Sequence, residues 1–407
     1  MASSDPDTDD PLARFRDRFA LPKGVIYLDG NSLGALPKST PGRLAATIAE
    51  EWGEGLITSW NAAGWVAAPQ RIGDKIARLI GAGDGEVIAC DSTSINVFKL
   101  LTAALSLQLG RTTILSESGN FPTDVYMMQG LETLTGGRVG AKLVAPEAID
   151  DAIDDDVAVL LLTQVHYKTG RMRDLAATTA RAHVAGALVV WDLSHSAGAV
   201  PVDLTAANAD FAVGCGYKYL NGGPGAPAWL YVARRHQNRV TPALSGWFGH
   251  AAPFDFVDEY RPAAGITRFL CGTPPVIGLT ALECGVDLLL EADMAAVRAK
   301  SLALAERFAA RMQPLCGRHG FTLVSPADPG QRGSQIAYAH PEGYAIMQAL
   351  IARGVIGDFR APDILRFGLT PLYLRFGDVD RAVAILAEIM DADAWDRPEY
   401  KVRAAVT

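Results

Sequence analysis

The chain has 407 residues, with 37 Lys and Arg against 45 Asp and Glu, a formal net charge of −8, 49% hydrophobic and 20% charged residues. That length exceeds one small core and predicts two or more domains; the acidic balance excludes a nucleic-acid backbone as partner, because no basic excess is left to neutralise phosphates. The five scattered cysteines (Cys90, Cys215, Cys271, Cys284, Cys316) form no CxxC pair, which excludes a disulfide framework and a zinc cluster and points to a reducing compartment, the cytoplasm.

Residues 1–10 are acidic and polar and read as a frayed tail rather than a signal peptide. Val25 to Leu28 is a short strand running into the turn Asp29-Gly30-Asn31-Ser32-Leu33-Gly34. Pro37 opens a helix to about Glu51, and Trp52 to Trp65 is an aperiodic loop of the kind that borders a ligand. Ile72, Ile76, Leu79 and Ile80 mark one face of a helix over 69–80. Val87 to Cys90 is a strand, and Asp91-Ser92-Thr93-Ser94 leads into a helix to about Leu107. Hydroxyls there read first as ordinary N-caps, and are also how a helix N-terminus holds a phosphate. Further strands are expected at 112–115, 156–163, 187–192, 211–213 and 228–232. They are apolar throughout and alternate with helical stretches, so the sheet is covered on both faces and largely parallel. No run of about 18 apolar residues could span a membrane. Residues 241–280 are mostly loop, a long helical stretch follows from Pro275 to about Gln313, and 320–400 alternate strand and helix as a small α/β domain does.

In such a fold ligands gather beyond the carboxyl ends of the strands. Ser94, Phe121, Thr163, Asp192 and Lys218 all lie at a predicted strand end or in the turn after it. Lys218 stands between two tyrosines in Gly-Tyr-Lys-Tyr-Leu-Asn-Gly-Gly, among apolar and small residues, where desolvation frees an amine to act as nucleophile or base. Asp192 precedes it by 26 residues and His195 by 23. A lysine for a Schiff base, a carboxylate for a pyridine nitrogen, a hydroxyl-rich helix start for a phosphate and an aromatic ring to stack are what pyridoxal 5′-phosphate requires. Arg366, flanked by apolar residues in a predicted strand, needs an anion. A structural carboxylate and a substrate carboxylate fit it equally at this point.

Over most of its length the sequence resembles the kynureninases of bacterial type, within the fold-type-I pyridoxal-phosphate enzymes. The resemblance is carried by Tyr27 to Gly34, Phe121-Pro122-Thr123-Asp124, Trp191-Asp192-Leu193-Ser194-His195-Ser196-Ala197-Gly198, Tyr217 to Gly225, Gly246-Trp247-Phe248-Gly249-His250 and Pro371-Leu372-Tyr373. It implies a fold-type-I α/β architecture. A large domain (56–285) holds a mostly parallel seven-stranded sheet between helices, a small α/β C-terminal domain covers 286–407, and an N-terminal segment (1–55) associates with it. It implies that Lys218 forms the Schiff base, that Thr93, Ser94, Tyr217 and Trp247 meet the phosphate, and that Phe121 lies over the ring. Pro122, Thr123, Asp124 and Thr163 line the cofactor, Asp192 pairs with the ring nitrogen and His195 supports it. Thr273 matches a position that reaches the phosphate of the neighbouring subunit, so a homodimer with shared sites is implied. Arg366, Trp65 and Asn31 are the implied substrate-binding residues, with Arg366 taking the α-carboxylate.

The implied reaction is hydrolysis of L-kynurenine to anthranilate and L-alanine in the kynurenine pathway of tryptophan breakdown, with Tyr217 as proton carrier. Trp65 and Gly272-Thr273 follow the bacterial pattern, which favours kynurenine over its 3-hydroxy derivative. His166 departs from that pattern. A cysteine desulfurase or aminotransferase of the same fold is the competing enzyme, and a cofactor-binding protein without activity is the competing non-enzyme. The first needs a reactive cysteine on a mobile loop, and the second needs loss of Lys218, Asp192 or Arg366.

Overall fold

The computed structural model describes residues 7–404. Thirteen strands follow one another along the described residues. Ile26–Tyr27 (β1) comes first, then Val87–Ala89 (β2), Thr113–Glu117 (β3), Gly140–Val144 (β4), Val157–Thr163 (β5), Leu188–Asp192 (β6), Phe211–Gly214 (β7) and Trp229–Val232 (β8). Thr322–Leu323 (β9), Gln335–Ala339 (β10), Val355–Ile356 (β11), Asp358–Arg360 (β12) and Ile364–Gly368 (β13) complete the set. Strands β2 to β8 form one seven-stranded sheet in the order β2-β8-β7-β6-β5-β3-β4. Only β8 runs against its neighbours, so the carboxyl ends of β2, β3, β5, β6 and β7 share one edge.

The continuous apolar runs are explained by what they pack on. In β5, Val159 and Leu161 belong to one buried cluster, while Leu160 and Leu162 belong to another. Side chains alternate across a strand, so a strand buried on both faces has no polar positions. Helix Thr93–Leu107 covers one face, lying on β5, β6, β7 and β8. Helix Leu175–Val184 covers the other, where Trp191 Nε1 donates to Thr179 Oγ1 at 3.0 Å. Strand β4, which the sequence reading missed, lies at the open edge of the sheet and carries the exposed Lys142 and Leu143.

The second sheet, in the order β12-β13-β10-β9, is antiparallel. Strand β1 pairs in parallel with β11, Ile26 opposite Val355, which stitches the N-terminal segment to the C-terminal part. The expected frayed tail is corrected for its described residues. Asp7 accepts from the N–H groups of Phe376 and Gly377 at the start of helix Phe376–Asp391, and Asp10 accepts from the buried Lys300 at 2.7 Å. The helix from Pro37 is α-helical over Ser39–Ala46 and widens to a π-helix over Thr47–Glu54. The stretch from Pro275 is two helices, Val276–Leu290 and Met294–His319. Asp293 breaks it by capping the second, accepting from Ala295 and Ala296 N–H at 3.2 Å each. Among the described residues no helix is long and apolar enough to cross a membrane.

Candidate active site

The turn after β7 sets Lys218. Asn221 takes a left-handed conformation (φ 55°), which an asparagine tolerates, and its N–H closes the turn on Lys218 O at 2.9 Å. Gly34, from the early Asp-Gly-Asn-Ser-Leu-Gly turn, lies directly on it. Its N–H donates to Tyr217 O at 2.7 Å, and a Cβ there would stand 2.2 Å from Lys218 O. The glycine is dictated by close approach of two backbones.

Lys218 is 8% exposed. Its Nζ lies 2.9 Å from His195 Nε2, 5.6 Å from the centre of the Phe121 ring and 5.9 Å from that of Tyr217. The imidazole is held from behind. Gln335 on β10 donates its Nε2 to the carbonyls of Tyr167 (2.9 Å) and His166 (3.3 Å), so its Oε1 must face His195 Nδ1 (3.1 Å) and Asn31 Nδ2 (3.2 Å). His195 therefore carries its proton on Nδ1 and offers the Nε2 lone pair to the lysine. Burial first, and then the charges of Lys218 and Arg366, hold its pKa well below that of a free histidine.

Thr163 and Asp192 close adjacent strands and are register partners. Asp192 is buried and accepts from Ser194 N–H at 2.8 Å. Burial raises its pKa, opposed by the charge of Lys218. Asp124 is fully buried. Burial and the nearby Asp192 push its pKa well above the usual carboxylate range, and its Oδ1 has no hydrogen-bond partner. Thr163 Oγ1 donates to Asn120 Oδ1 at 2.5 Å and lies 3.5 Å from Asp124 Oδ2. Ser94 and Thr123 meet hydroxyl to hydroxyl at 3.1 Å. Ser92 caps helix Thr93–Leu107, so Thr93 and Ser94 occupy its first turn, and Pro122 and Thr123 open helix Pro122–Leu134. Two helix N-termini thus converge, and the free N–H groups of such ends favour an anion.

The second sheet forms the opposite wall. Arg366 is 1% exposed. Its Nε donates to Asp358 Oδ1 at 2.8 Å, its Nη2 donates to Asp358 Oδ2 and to Ser32 Oγ, and its Nη1 donates to Tyr167 O. Its bidentate edge is thus placed on a carboxylate of the chain. Asn31 is wholly buried in the Gln335 network. Trp65, Trp247 and Thr273 have their contacts elsewhere. Trp65 Nε1 donates to Glu51 at 2.8 Å, and its ring meets Trp60, then Phe248, then Trp247, at 5.6, 6.0 and 4.5 Å between ring centres. Thr273 is exposed just beyond Cys271, whose carbonyl accepts from Phe248 N–H. His166 gains an account. Its Nε2 donates to Gly119 O at 2.9 Å, which latches the turn that carries Phe121.

Known proteins resemble this chain in sequence and in fold. The family model described as the kynureninase C-terminal domain matches residues 297–386. A kynureninase of Burkholderia pseudomallei (strain 1106a) is 54% identical over 406 residues, covering 98% of each chain, and one of Pseudomonas fluorescens is 52% identical over the same span. The chain belongs to the kynureninase family. Among solved structures, a cysteine desulfurase from Escherichia coli aligns with a TM-score of 0.77 at 21% identity, over 94% of this chain and 98% of its own. A C-DES variant with glycine covalently linked to its PLP cofactor aligns with a TM-score of 0.78 at 16% identity, over 92% and 99%. The family member described here thus has the fold-type-I α/β architecture. Gln335, Asp358, Tyr167 and Asn120 contact the candidate-site residues and were not legible from sequence. Each is an ordinary polar residue in a strand or loop, and only its distant partner gives it meaning.

Proposed function

We propose that the chain hydrolyses the Cβ–Cγ bond of L-kynurenine to anthranilate and L-alanine, using pyridoxal 5′-phosphate. The observation that carries this reading is the buried group of Lys218, His195, Asp192 and Asp124 at the carboxyl edge of the sheet, in a chain 54% identical to a kynureninase. The residues fit the cofactor. Asp124 Oδ1 is a buried oxygen without a partner, two helix N-termini with hydroxyls converge as a phosphate requires, and Phe121 is partly exposed beside the lysine.

Bound there, the cofactor supplies an electron sink for charge developing at the substrate α-carbon. Thr93, Ser94, Tyr217 and Trp247 would hold its phosphate, with Thr123 beside Ser94. Asp192 holds the proton of the ring nitrogen, supported by Asp124 and Thr163. Lys218 would supply the amine that anchors the cofactor and a base for the substrate α-proton. His195 Nε2 keeps that amine aimed, itself pinned by Gln335 and Asn31. Tyr217 has its pKa pushed up by burial, so it keeps its proton at working pH and serves as donor rather than base. Arg366 supplies fixed positive charge for the α-carboxylate, and Trp65 borders the aryl group.

The working unit in this reading is a homodimer with shared sites, in which the N-terminal segment (1–55) moves with the small domain (286–407). The exposed side chains of Trp52, Ile57, Trp247, Phe254 and Phe256 support it, since a monomer rarely leaves such apolar surface open. The five free cysteines suit a cytoplasmic setting. No cysteine offers a desulfurase nucleophile on a free loop: Cys316 lies within helix Met294–His319, and Cys271 Sγ donates to Leu244 O. The test is to incubate the purified protein with pyridoxal phosphate and L-kynurenine. Anthranilate and alanine in equal amounts are expected. A loaded protein that makes neither rejects the substrate assignment.

A further inference from the structure

We propose that His166 is a proton-sensitive positioning residue, which holds the aromatic wall of the cofactor site in place when neutral and releases it when protonated. The inference rests on the reading above that the site binds pyridoxal 5′-phosphate. It starts from what each nitrogen of the imidazole meets. Nδ1 is met by three donors of its own loop: Lys168 N–H and Thr169 N–H, both at 3.3 Å, and the Thr169 hydroxyl at 3.2 Å. A backbone N–H can only donate, so Nδ1 is the acceptor and the neutral ring carries its proton on Nε2. Nε2 donates to Gly119 O at 2.9 Å. The ring thus closes its own turn through one nitrogen and grips the turn after β3 through the other.

The two turns it joins carry the aromatic wall. Gly119 takes a left-handed conformation (φ 83°) two residues before Phe121, and Asn120 between them accepts from Phe121 N–H at 2.7 Å. On the other side, the Tyr167 ring lies 5.2 Å from that of His166 and packs edge-on against Phe121, again at 5.2 Å between ring centres. Phe121 in turn faces Lys218 Nζ. His166 therefore fixes Phe121 twice, through the Gly119 carbonyl and through the Tyr167 ring. The loop backbone is held separately, because the carbonyls of His166 and Tyr167 accept from Gln335, and that of Tyr167 also from Arg366. The imidazole is the part of this joint that a proton can change.

An imidazolium has two N–H groups and no acceptor. Its Nδ1–H would point at the N–H groups of Lys168 and Thr169, so the charged ring leaves the turn and takes Nε2 away from Gly119. The surrounding charges favour the neutral ring. Lys168 and Arg171 stand on its own loop; Glu117, at the end of β3, opposes them but is itself ion-paired with Arg171 at 2.8 Å and with Arg173. Burial first holds the pKa of His166 below that of a free histidine. Gly119 O and Glu117 work against that shift, and Arg171 and Lys168 add to it. The joint is closed at neutral pH and opens in acid.

The test follows loss of the visible cofactor band from loaded protein on dialysis at pH 5 and at pH 7.5, in wild type, His166→Gln and His166→Asn. Neither amide titrates. The Gln amide extends to the place of Nε2 and keeps a donor for Gly119 O; the Asn amide ends at the place of Nδ1 and keeps only the acceptor of the turn. The ratio of release rates, pH 5 over pH 7.5, is expected to be about two- to tenfold larger in wild type than in either variant, the range for one hydrogen bond. Other titrating groups of the site are common to the three proteins and cancel in that comparison. At pH 7.5 the Asn variant is expected to release faster than the Gln variant. Equal ratios in wild type and variants, the result for a merely structural histidine, overturn the proposal; so does equal release by Asn and Gln at pH 7.5. If one variant yields no loaded protein, the ratio is read from the other. Failure to make anthranilate is a separate result, since release is measured without substrate, whereas a wild type that takes up no cofactor overturns both readings.

Discussion

Asp29 keeps its proton at neutral pH. It sits beside Asp358, which Arg366 and Arg360 hold ionised, and burial and that negative charge raise its pKa from 3.8 to about 8. Between those values the native state binds one more proton than the unfolded chain, so this group's contribution to stability is complete below pH 3.8 and is lost as pH rises through about 8. Replacing Asp29 by Asn removes that slope. Denaturant unfolding at pH 5, 7 and 9 should show the wild type losing on the order of 4 kcal/mol more than the variant across the range, nearly all of it below pH 8. Parallel profiles would contradict the assignment. The motif containing Asp29 was visible in the sequence. Its state was not, because Asp358 and Arg366 come from the far end of the chain. The same holds for His195. Its residue type and place beside Asp192 were legible, but the proton on Nδ1 is decided by Gln335, 140 residues away.

The turn that carries Lys218 is shaped by a second turn packed on it. An Ala at position 34 would place its Cβ 2.2 Å from Lys218 O and 2.6 Å from Asn221 Oδ1, contacts that only backbone movement relieves. Gly34→Ala is therefore expected to cost about 2–3 kcal/mol of stability and to weaken cofactor retention, read as loss of the visible band on dialysis. Retention equal to wild type would show that the two turns are independent. Strands buried on both faces were legible from their unbroken apolar runs. Strand β4 was not, because an edge strand with exposed Lys142 and Leu143 has no such run. The break between helices Val276–Leu290 and Met294–His319 was hidden because one capping aspartate interrupts an otherwise helical pattern. The tie of Asp7 and Asp10 to the C-terminal part was hidden because an acidic, polar segment offers little to bury, and its anchors are hydrogen bonds to distant N–H and ammonium groups.

At the scale of the molecule, the residues expected to act together divide into two groups. Lys218, His195, Asp192, Asp124, Thr163, Phe121, Ser94 and Thr123 converge within one chain. Trp65 and Trp247 join through Trp60 and Phe248, on a surface that also exposes Phe254, Phe256 and Thr273. A dimer that exchanges these surfaces would reunite them. Lys218→Ala and Thr273→Asp chains, each impaired alone, should therefore regain activity when mixed and allowed to exchange subunits, because one site of the mixed dimer then has both an intact lysine and an intact threonine. No recovery would place Thr273 in its own chain's site. The first group was readable because strand ends in a doubly covered sheet share one edge. The second, in the proposed dimer, would depend on a surface supplied by the neighbouring subunit. The central claim is that Lys218 is the anchoring amine. The other two buried lysines in the described residues, Lys99 and Lys300, are ion-paired with Asp91 and Asp10, whereas Lys218 faces a neutral histidine. The most direct measurement is borohydride reduction of the loaded protein followed by peptide mass mapping. A phosphopyridoxyl adduct on Lys218 is the result expected; an adduct on another lysine, or none, would contradict the account.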